Sequence, residues 1–275
     1  GFADNIMVGR YSTDALASAS FVNNLFNVAI FCCIGFTYGL TPLAGSLFGR
    51  KQFKEIGAVM RTGLWLNIVF SLLVISVMTA IYFNVDRLGQ PAHLLPLIRP
   101  YFLIYLAGML PVTVFNVFAQ WSYGINNTRL PMWIILAANV VNVIGNYVLI
   151  YGHLGAPELG LTGAGISTLF ARLICPVAIM AFFFLKRSNR PYRDGWRESR
   201  VNTKMLRRIF TISLPVSMQM TFESGSFSFA AIMTGWLGAI PLAAFQIVVI
   251  VGTLGFCVYY SISSAVTILV AHEAG

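Results

Sequence analysis

The sequence predicts an all-α polytopic membrane protein, and three observations support this fold class. Of the 275 residues, 57% are hydrophobic and only 10% are charged, whereas soluble domains have roughly 45–50% and 25%. The mean hydropathy is +0.77. Apolar runs of the length that spans a bilayer recur from one end of the chain to the other. These properties exclude an ordinary soluble domain.

The hydropathy pattern predicts about eight membrane helices. A partial first helix ends near residues 10–14. The second covers residues 16–48, which is too long for one straight span, so we expect it to tilt or to extend beyond the bilayer. The other predicted helices cover approximately residues 56–83, 100–123, 130–151, 163–185, 206–236 and 242–271. Kinks are expected at Pro42, Pro111, Pro176 and Pro215.

The basic residues are concentrated in alternate connections between the predicted helices. Nine of the 18 Lys and Arg residues lie between Lys186 and Arg208, and four more lie between Arg50 and Arg61. The connections on this side of the membrane carry 14 basic residues, and those on the other side carry three. By the positive-inside rule, the N-terminus and the 186–205 linker are expected in the cytoplasm. The distribution suits membrane loops, so no nucleic-acid partner is expected.

An internal repeat divides the chain. The segment IMVGRYSTDALASASFV from Ile6 aligns without gaps with IMTGWLGAIPLAAFQIV from Ile232, 226 residues later. Six predicted helices separate the two copies, so both cross the membrane in the same direction, as in transporters built from parallel repeats. We therefore expect two six-helix lobes, the second truncated: an N-terminal lobe (1–185), a basic linker (186–205) and the start of a C-terminal lobe (206–275). A complete protein would have about twelve helices.

Two carboxylates lie within the predicted helices. Glu223 is near the middle of the seventh helix and Asp4 is within the first. A charged side chain at bilayer depth is unfavourable by several kcal/mol unless it faces a cavity, finds a partner or takes up a proton. The alternative is structural: Glu223 would bond to a neighbouring helix only for packing, and Asp4 would be a solvated residue at a helix end.

Several amides accompany these acids. Asn142 and Asn146 are four residues apart on the fifth predicted helix, so they share one face; they either bridge helices or orient a carboxylate. Weaker candidates for a polar substrate path are Gln219, Gln246, Asn24, Asn27 and Asn139. Arg172 lies within the sixth predicted helix, where snorkelling and pairing with Asp4 are both open.

No motif of enzyme chemistry is present: the sequence lacks HExxH, a P-loop and a nucleophile elbow, and its histidines and cysteines form no cluster. We therefore expect no enzyme activity, no cofactor and no tightly bound metal.

Four stretches carry a family resemblance: DNIMVGRYSTDALAS from Asp4, TPLAGSLFGRKQ from Thr41, NVVNVIGNYVLIYGHLGAPELGLTGAGIST from Asn139 and LPVSMQMTFESGSFSFAAIMTGWLGAIPLAAFQI from Leu214. Together they resemble the multidrug and toxic compound extrusion (MATE) transporters over nearly the whole chain. The resemblance implies a monomer of the bacterial inner membrane that exports small cationic, aromatic compounds in exchange for H⁺ or Na⁺.

The resemblance also implies roles for individual residues. Asp4 matches the acid of the family's first helix, and Asn142 and Asn146 match a pair that helps to form the cation site of the N-terminal lobe. DinF-like members carry an aspartate at the second position of that pair, so Asn146 places the chain nearer the NorM-like branch. Glu223 matches the seventh-helix acid of that branch, so a transient Na⁺ at Asp4 or Glu223 is expected if sodium is the coupling ion.

Other functions remain open at this stage. A lipid-linked oligosaccharide flippase of the same superfamily would be expected to need a basic cavity for pyrophosphate, for which Arg172 is the only intramembrane arginine. A channel or a non-transporting membrane scaffold is the alternative from another class.

Overall fold

The computed structural model describes residues 2–88, 91–155, 157–199, 202–236 and 239–273. Over these residues the chain forms ten α-helices and no β-strand, which confirms the predicted all-α class. The helices are α1 (Phe2–Tyr11), α2 (Thr13–Thr37), α3 (Leu40–Gly49), α4 (Phe53–Phe83), α5 (Leu95–Gly124), α6 (Arg129–Tyr151), α7 (Gly160–Leu185), α8 (Arg190–Glu198), α9 (Thr203–Trp236) and α10 (Ala239–Glu273).

Five helical segments of the described chain are long and apolar enough to cross a membrane. These are Thr13–Gly49, Phe53–Phe83, Ala92–Gly124, Arg129–Tyr151 and Gly160–Leu185. Their outer faces carry exposed apolar side chains, among them Trp65, Leu73 and Val177. A soluble protein would bury such side chains, whereas a bilayer solvates them. The chain is a multi-pass membrane protein.

The second predicted helix is one apolar span, Thr13–Gly49, but it contains a break four residues or fewer before Pro42. The structure ends α2 at Thr37 and starts α3 at Leu40. Pro42 has no N–H to donate back to Tyr38, and the Thr37 hydroxyl donates to the carbonyl of Ile34 at 2.6 Å. Gly39 lies at the break because a Cβ there would overlap the hydroxyl oxygen of Ser213 on α9. The break therefore also allows α9 to approach closely.

The other helices begin earlier than predicted, by as much as five residues at Leu95 of α5. Pro96 occupies the first turn of α5, where a missing N–H removes no helical hydrogen bond. Pro100 and Pro111 both lie inside α5.

Two hydrophobic cores occupy opposite ends of the bundle. The first joins α1, α2 and the facing parts of α4 to α7, and Phe26 of α2 packs edge-on against Phe102 of α5 at 4.7 Å between ring centroids. The second joins α3, the start of α4, the ends of α5 and α7, and α8, and Trp121 packs edge-on against Phe183 of α7 at 4.8 Å. We call the end that holds the second core the basic end, since Arg50, Lys54, Arg129, Lys186 and Arg208 lie there.

The basic linker is not a simple loop. It contains α8, which packs against α4 at a pair of glycines: a Cβ at Gly57 would overlap the backbone of Tyr192, and one at Gly195 would overlap the backbone of Lys54. Trp196 of α8 stacks on Phe118 of α5 at 5.8 Å. The linker helix is therefore held against the membrane helices.

The two copies of the predicted repeat differ in their helices. Helix α2 ends at Thr37 and α3 starts at Leu40, whereas α10 continues without a break through the corresponding positions, 263–266. The lobe boundaries remain a prediction.

Candidate functional site

The structure places Asp4, the acid of the first predicted helix, against α6, which corresponds to the fifth predicted helix. Asp4 of α1 is only 3% exposed, and Asn146 of α6 is 0% exposed. The side-chain amide of Asn146 donates a hydrogen bond to Oδ1 of Asp4. These residues are 142 positions apart in the chain, so the contact is created by the fold. Of the two readings of Asp4, the solvated helix end is wrong.

Helix α6 is fixed to α7 one turn from this contact. The amide of Asn142 donates to Thr168 at 3.2 Å and lies 3.5 Å from Ser167, whose hydroxyl donates to the carbonyl of Asn142 at 2.8 Å. Gly145 makes this approach possible, since a Cβ there would overlap the Ser167 hydroxyl oxygen. Of the two alternatives for Asn142, the contacts agree with a bridge between helices. This bridge fixes α6, the helix that carries Asn146.

Helix α1 is fastened to α6 at a second point. The hydroxyl of Tyr151 donates to the backbone carbonyl of Met7 at 2.9 Å. Tyr151 lies five positions beyond Asn146, and Met7 three beyond Asp4, so the two bonds hold α1 along more than one turn. The position of the Asp4 carboxylate is thereby determined by backbone as well as side-chain contacts.

Two tyrosines that the sequence analysis missed lie within electrostatic range of Asp4. Tyr101 and Tyr105 are buried on α5, and their hydroxyls are 3.3 Å apart. The charges of Asp4 and Arg172 both act on this pair. The four-residue spacing, which places the two rings on one helix face, was the signal that could have identified them.

Arg172 has a defined position beside these tyrosines. Its guanidinium carbon lies 4.5 Å from the centroid of the Tyr105 ring, within the range of a cation–π interaction. It lies against Gly108, where a Cβ would come 2.9 Å from Nη1 of the arginine. An intramembrane cation is thus held within the N-terminal helices near the carboxylate site.

One buried polar atom at the site has no hydrogen-bond partner among the residues that the structure describes. Among the described residues, Oδ1 of the buried Asn146 side chain accepts no hydrogen bond. A buried amide oxygen without a donor is uncommon and calls for an explanation. An oxygen beside a carboxylate is also the type of ligand that hard cations take.

Glu223 occupies a different environment. It is exposed on α9, as is Gln219 one turn earlier, while Ser213 and Ser217 are buried on another face of the same helix. The hydroxyl of Ser217 donates to the carbonyl of Cys32 on α2 at 2.7 Å. Glu223 is close enough to Tyr260 of α10 to act on it electrostatically. The buried face of α9 therefore packs against α2, and the face that carries Glu223 is exposed in the described chain.

The weaker path candidates whose side chains the structure describes are exposed. Asn24 and Asn27 are exposed on one stripe of α2, and Asn139 is exposed on α6. A hydrogen bond that the sequence did not predict joins α2 to α1: the side-chain amide of Asn23 donates to Oδ1 of Asn5 at 3.3 Å. The side chain of Gln246 lies outside the described residues. Within the described chain, no group of three His, Cys, Asp or Glu residues is placed to hold a metal ion.

A membrane helix bundle with a buried carboxylate–amide contact between helices is typical of secondary transporters. Comparison with known proteins identifies the family. The family model described as MatE matches residues 1–148, more than half of the chain, so this chain belongs to the MatE (MATE) family, whose members are transporters and not enzymes. A second family model, described as Lipid II flippase MurJ, matches residues 97–234.

Curated relatives are similar over the whole chain. A probable multidrug resistance protein NorM from Synechococcus sp. is 29% identical over 100% of this chain and 59% of its own length. The protein of the same name from Bradyrhizobium diazoefficiens is 30% identical over 99% of the chain and 58% of its own length. The chain thus spans about three fifths of these relatives, which agrees with the prediction of about eight helices out of twelve.

Solved structures share the fold. The eukaryotic MATE transporter AtDTX14 superposes with a TM-score of 0.83 at 16% identity, covering 99% of this chain and 60% of that one. A transporter of the MOP superfamily from Pyrococcus furiosus gives a TM-score of 0.77 at 20% identity, over 99% and 57% of the two chains.

Proposed function

We propose that the protein to which this chain belongs is a secondary antiporter that exports cationic, amphipathic compounds in exchange for H⁺ or Na⁺. The names of its curated relatives support multidrug transport. The observation that carries the proposal is the buried Asp4 carboxylate, which is held by a buried amide from a helix 142 residues away. Structural acids are rare at such positions, whereas acids that bind a travelling cation are found there.

The exchange follows from the charge of the acids. An ionised Asp4 or Glu223 attracts a cationic substrate, and a bound H⁺ or Na⁺ removes that attraction. The substrate and the coupling ion therefore exclude one another at a carboxylate. If each favours a different conformation, their alternate binding drives the conformational cycle in one direction.

The choice of ion depends on the available oxygens. H⁺ needs the Asp4 carboxylate alone. Na⁺ would use the carboxylate together with Oδ1 of Asn146, the amide oxygen that accepts no hydrogen bond from the described residues. The proposal therefore includes both ions.

We also propose that the protein has two lobes, is monomeric and lies in the bacterial inner membrane, with the linker on the cytoplasmic side.

Neutral substitutions test the proposal in the full-length protein. Asp4→Asn and Glu223→Gln should each lower drug resistance to that of cells without the protein, while expression in the membrane is unchanged. Asp14→Asn is the matched control, because Asp14 is an exposed acid in the first turn of α2 and its variant should retain resistance. Full export by both site variants would rule out an essential charge at either acid and would contradict the proposed exchange.

The MurJ match supports a second candidate, a lipid-linked flippase. Such a protein needs cations that face its substrate, yet Arg172 lies against Tyr105 and Gly108. Uptake of a fluorescent cationic dye into vesicles under an ion gradient separates the two. Dye exchange supports the antiporter, and transfer of a lipid-linked saccharide without dye exchange supports the flippase.

A further inference from the structure

A cavity at the basic end lies away from both acids. It has a volume of about 250 Å³ and is formed by α3, α4 and the start of α9. Three cationic side chains line it: Arg50 directly follows α3, and Lys204 and Arg208 are one turn apart on α9. Glu55 is the carboxylate in the lining. Three positive charges are thus gathered around one negative charge.

Within the described chain, none of Arg50, Lys204 and Arg208 forms an ion pair, whereas the nearby Lys54 pairs with Glu198 at 3.1 Å. The first turn of α9 adds to the positive potential through its helix dipole. Its N-terminus is ordered by Asn202, whose Oδ1 accepts from the backbone N–H of Lys204 at 2.9 Å. The potential of the cavity therefore favours an anion.

The floor of the cavity is apolar. Leu43 and Leu47 of α3, Val59 of α4 and Met205 of α9 form it. A hydrated inorganic anion gains little from such a surface. An amphiphile gains from both parts, since its charged head meets the basic rim while its first methylene groups leave water.

The position of the cavity points to the same class of ligand. The helices α3, α4 and α9 all begin or end at its level, so it lies where the apolar helix surfaces give way to the charged connections. Phospholipid headgroups occupy this depth in a bilayer.

We propose that this cavity binds an anionic phospholipid, with its phosphate among Arg50, Lys204 and Arg208 and its glycerol end against Leu47 and Met205. The proposal is independent of the transported substrate. The ligand would contact residues that are about 150 positions apart in sequence, in α3 and α9, and would therefore strengthen the contact between these helices at the basic end.

Lipid titration of the purified full-length protein tests this site. Native mass spectrometry in detergent gives apparent affinities for phosphatidylglycerol and phosphatidylcholine. Wild type should prefer phosphatidylglycerol, and the variant Arg50→Gln/Lys204→Gln/Arg208→Gln should bind it at least about tenfold more weakly, because each basic residue near an anionic lipid contributes to binding. Binding of phosphatidylcholine should stay unchanged.

A matched control has the same loss of charge at the same end. Arg129, Arg187 and Arg190 are exposed and lie outside the cavity, so their triple Gln variant should keep the phosphatidylglycerol affinity within about twofold. An equal loss in this control would show that only the general surface charge matters, and would overturn the proposal. Equal wild-type affinity for the two lipids would overturn it as well.

Two further arms complete the test. Arg50→Lys/Arg208→Lys retains the charges and should retain lipid binding, and a loss of binding in this variant would contradict the proposal. If the triple Gln variant does not fold, the wild-type preference for phosphatidylglycerol over phosphatidylcholine still tests the site. Inorganic phosphate at millimolar concentration should not raise the melting temperature of wild type. Protection by phosphate equal to that by phosphatidylglycerol would assign the cavity to a free anion and contradict the lipid.

Discussion

Asn146 is the residue on which the environment of Asp4 depends most directly. Its amide donates to the carboxylate from a position without solvent exposure. Removal of a hydrogen bond to a buried charged group is unfavourable by about 1–3 kcal/mol. We therefore expect Asn146→Ala to lower the free energy of unfolding of the full-length protein by this amount and to shift the pH or Na⁺ dependence of export, as measured by denaturant unfolding and by vesicle transport.

Val140→Ala is the control for this change. Val140 lies on the same helix but is exposed, so its truncation should alter neither measurement. If the two variants behave alike, the Asp4–Asn146 contact does not contribute to coupling.

The residue pattern predicted this site in part. Asn142 and Asn146 were identifiable because residues four apart share a helix face, and an acid in an apolar helix is conspicuous by its unfavourable transfer energy. Which partner each of the two asparagines contacts was not predictable. Whether Asn142 faces Ser167 or Asp4 depends on how α6 rotates against α7, and Gly145 sets that rotation through packing.

Arg61 is the residue by which α4 holds the linker helix α8. Its guanidinium donates to the carbonyl oxygens of Trp196 and Ser199 at 3.0 and 2.6 Å, at the C-terminal end of α8. A cation at this end satisfies carbonyls that have no helical partner and complements the helix dipole. We expect Arg61→Met to raise amide hydrogen exchange across Arg190–Glu198 by roughly tenfold, which corresponds to about 1.4 kcal/mol.

Lys54→Met provides the comparison on the same helix. Lys54 also reaches α8, but its ion pair with Glu198 is largely exposed on both sides, and such pairs contribute about 0–1 kcal/mol. Exchange in α8 should change little in this variant. Equal exchange in the two variants would mean that the glycine contact and Trp196 hold α8 without the arginine.

Element boundaries show where sequence reasoning ends. The long helices were predictable because each has a continuous apolar run. Helix α8 was not, since its short sequence is dominated by charges and only Tyr192 and Gly195 are buried. The break between α2 and α3 could be anticipated as a kink at Pro42, but its position at Gly39 depends on the approach of Ser213 from α9. Such tertiary contacts leave no periodic signal in one sequence.

At the scale of the whole molecule, α2 and α9 form an antiparallel pair that is tight toward the basic end. Gly39 lies against Ser213, and Gly35 lies against Ser217, where a Cβ would come 2.9 Å from Cα. Small residues permit this distance between membrane helices. Farther from the basic end, the same two helices carry the exposed Asn27 and Glu223. These two candidate site residues therefore lie next to the tight contact between α2 and α9.

Gly39→Ala should loosen the molecule at this contact. The added methyl group would overlap the Ser213 hydroxyl, so α9 must move away from the junction of α2 and α3. Cys32 reports the movement, because its side chain is half-buried and its thiol lies 3.4 Å from the Ser217 hydroxyl. We expect a maleimide to label Cys32 about tenfold faster in the variant, as followed by peptide mass spectrometry, if the contact is weakened by about 1.4 kcal/mol.

Gly225→Ala is the matched substitution on α9, where a Cβ would meet no atom within 4 Å among the described residues. Its labelling rate should equal that of wild type, since Ala has a higher helix propensity and touches nothing. Unchanged labelling in Gly39→Ala would show that α9 accommodates the methyl group without leaving α2.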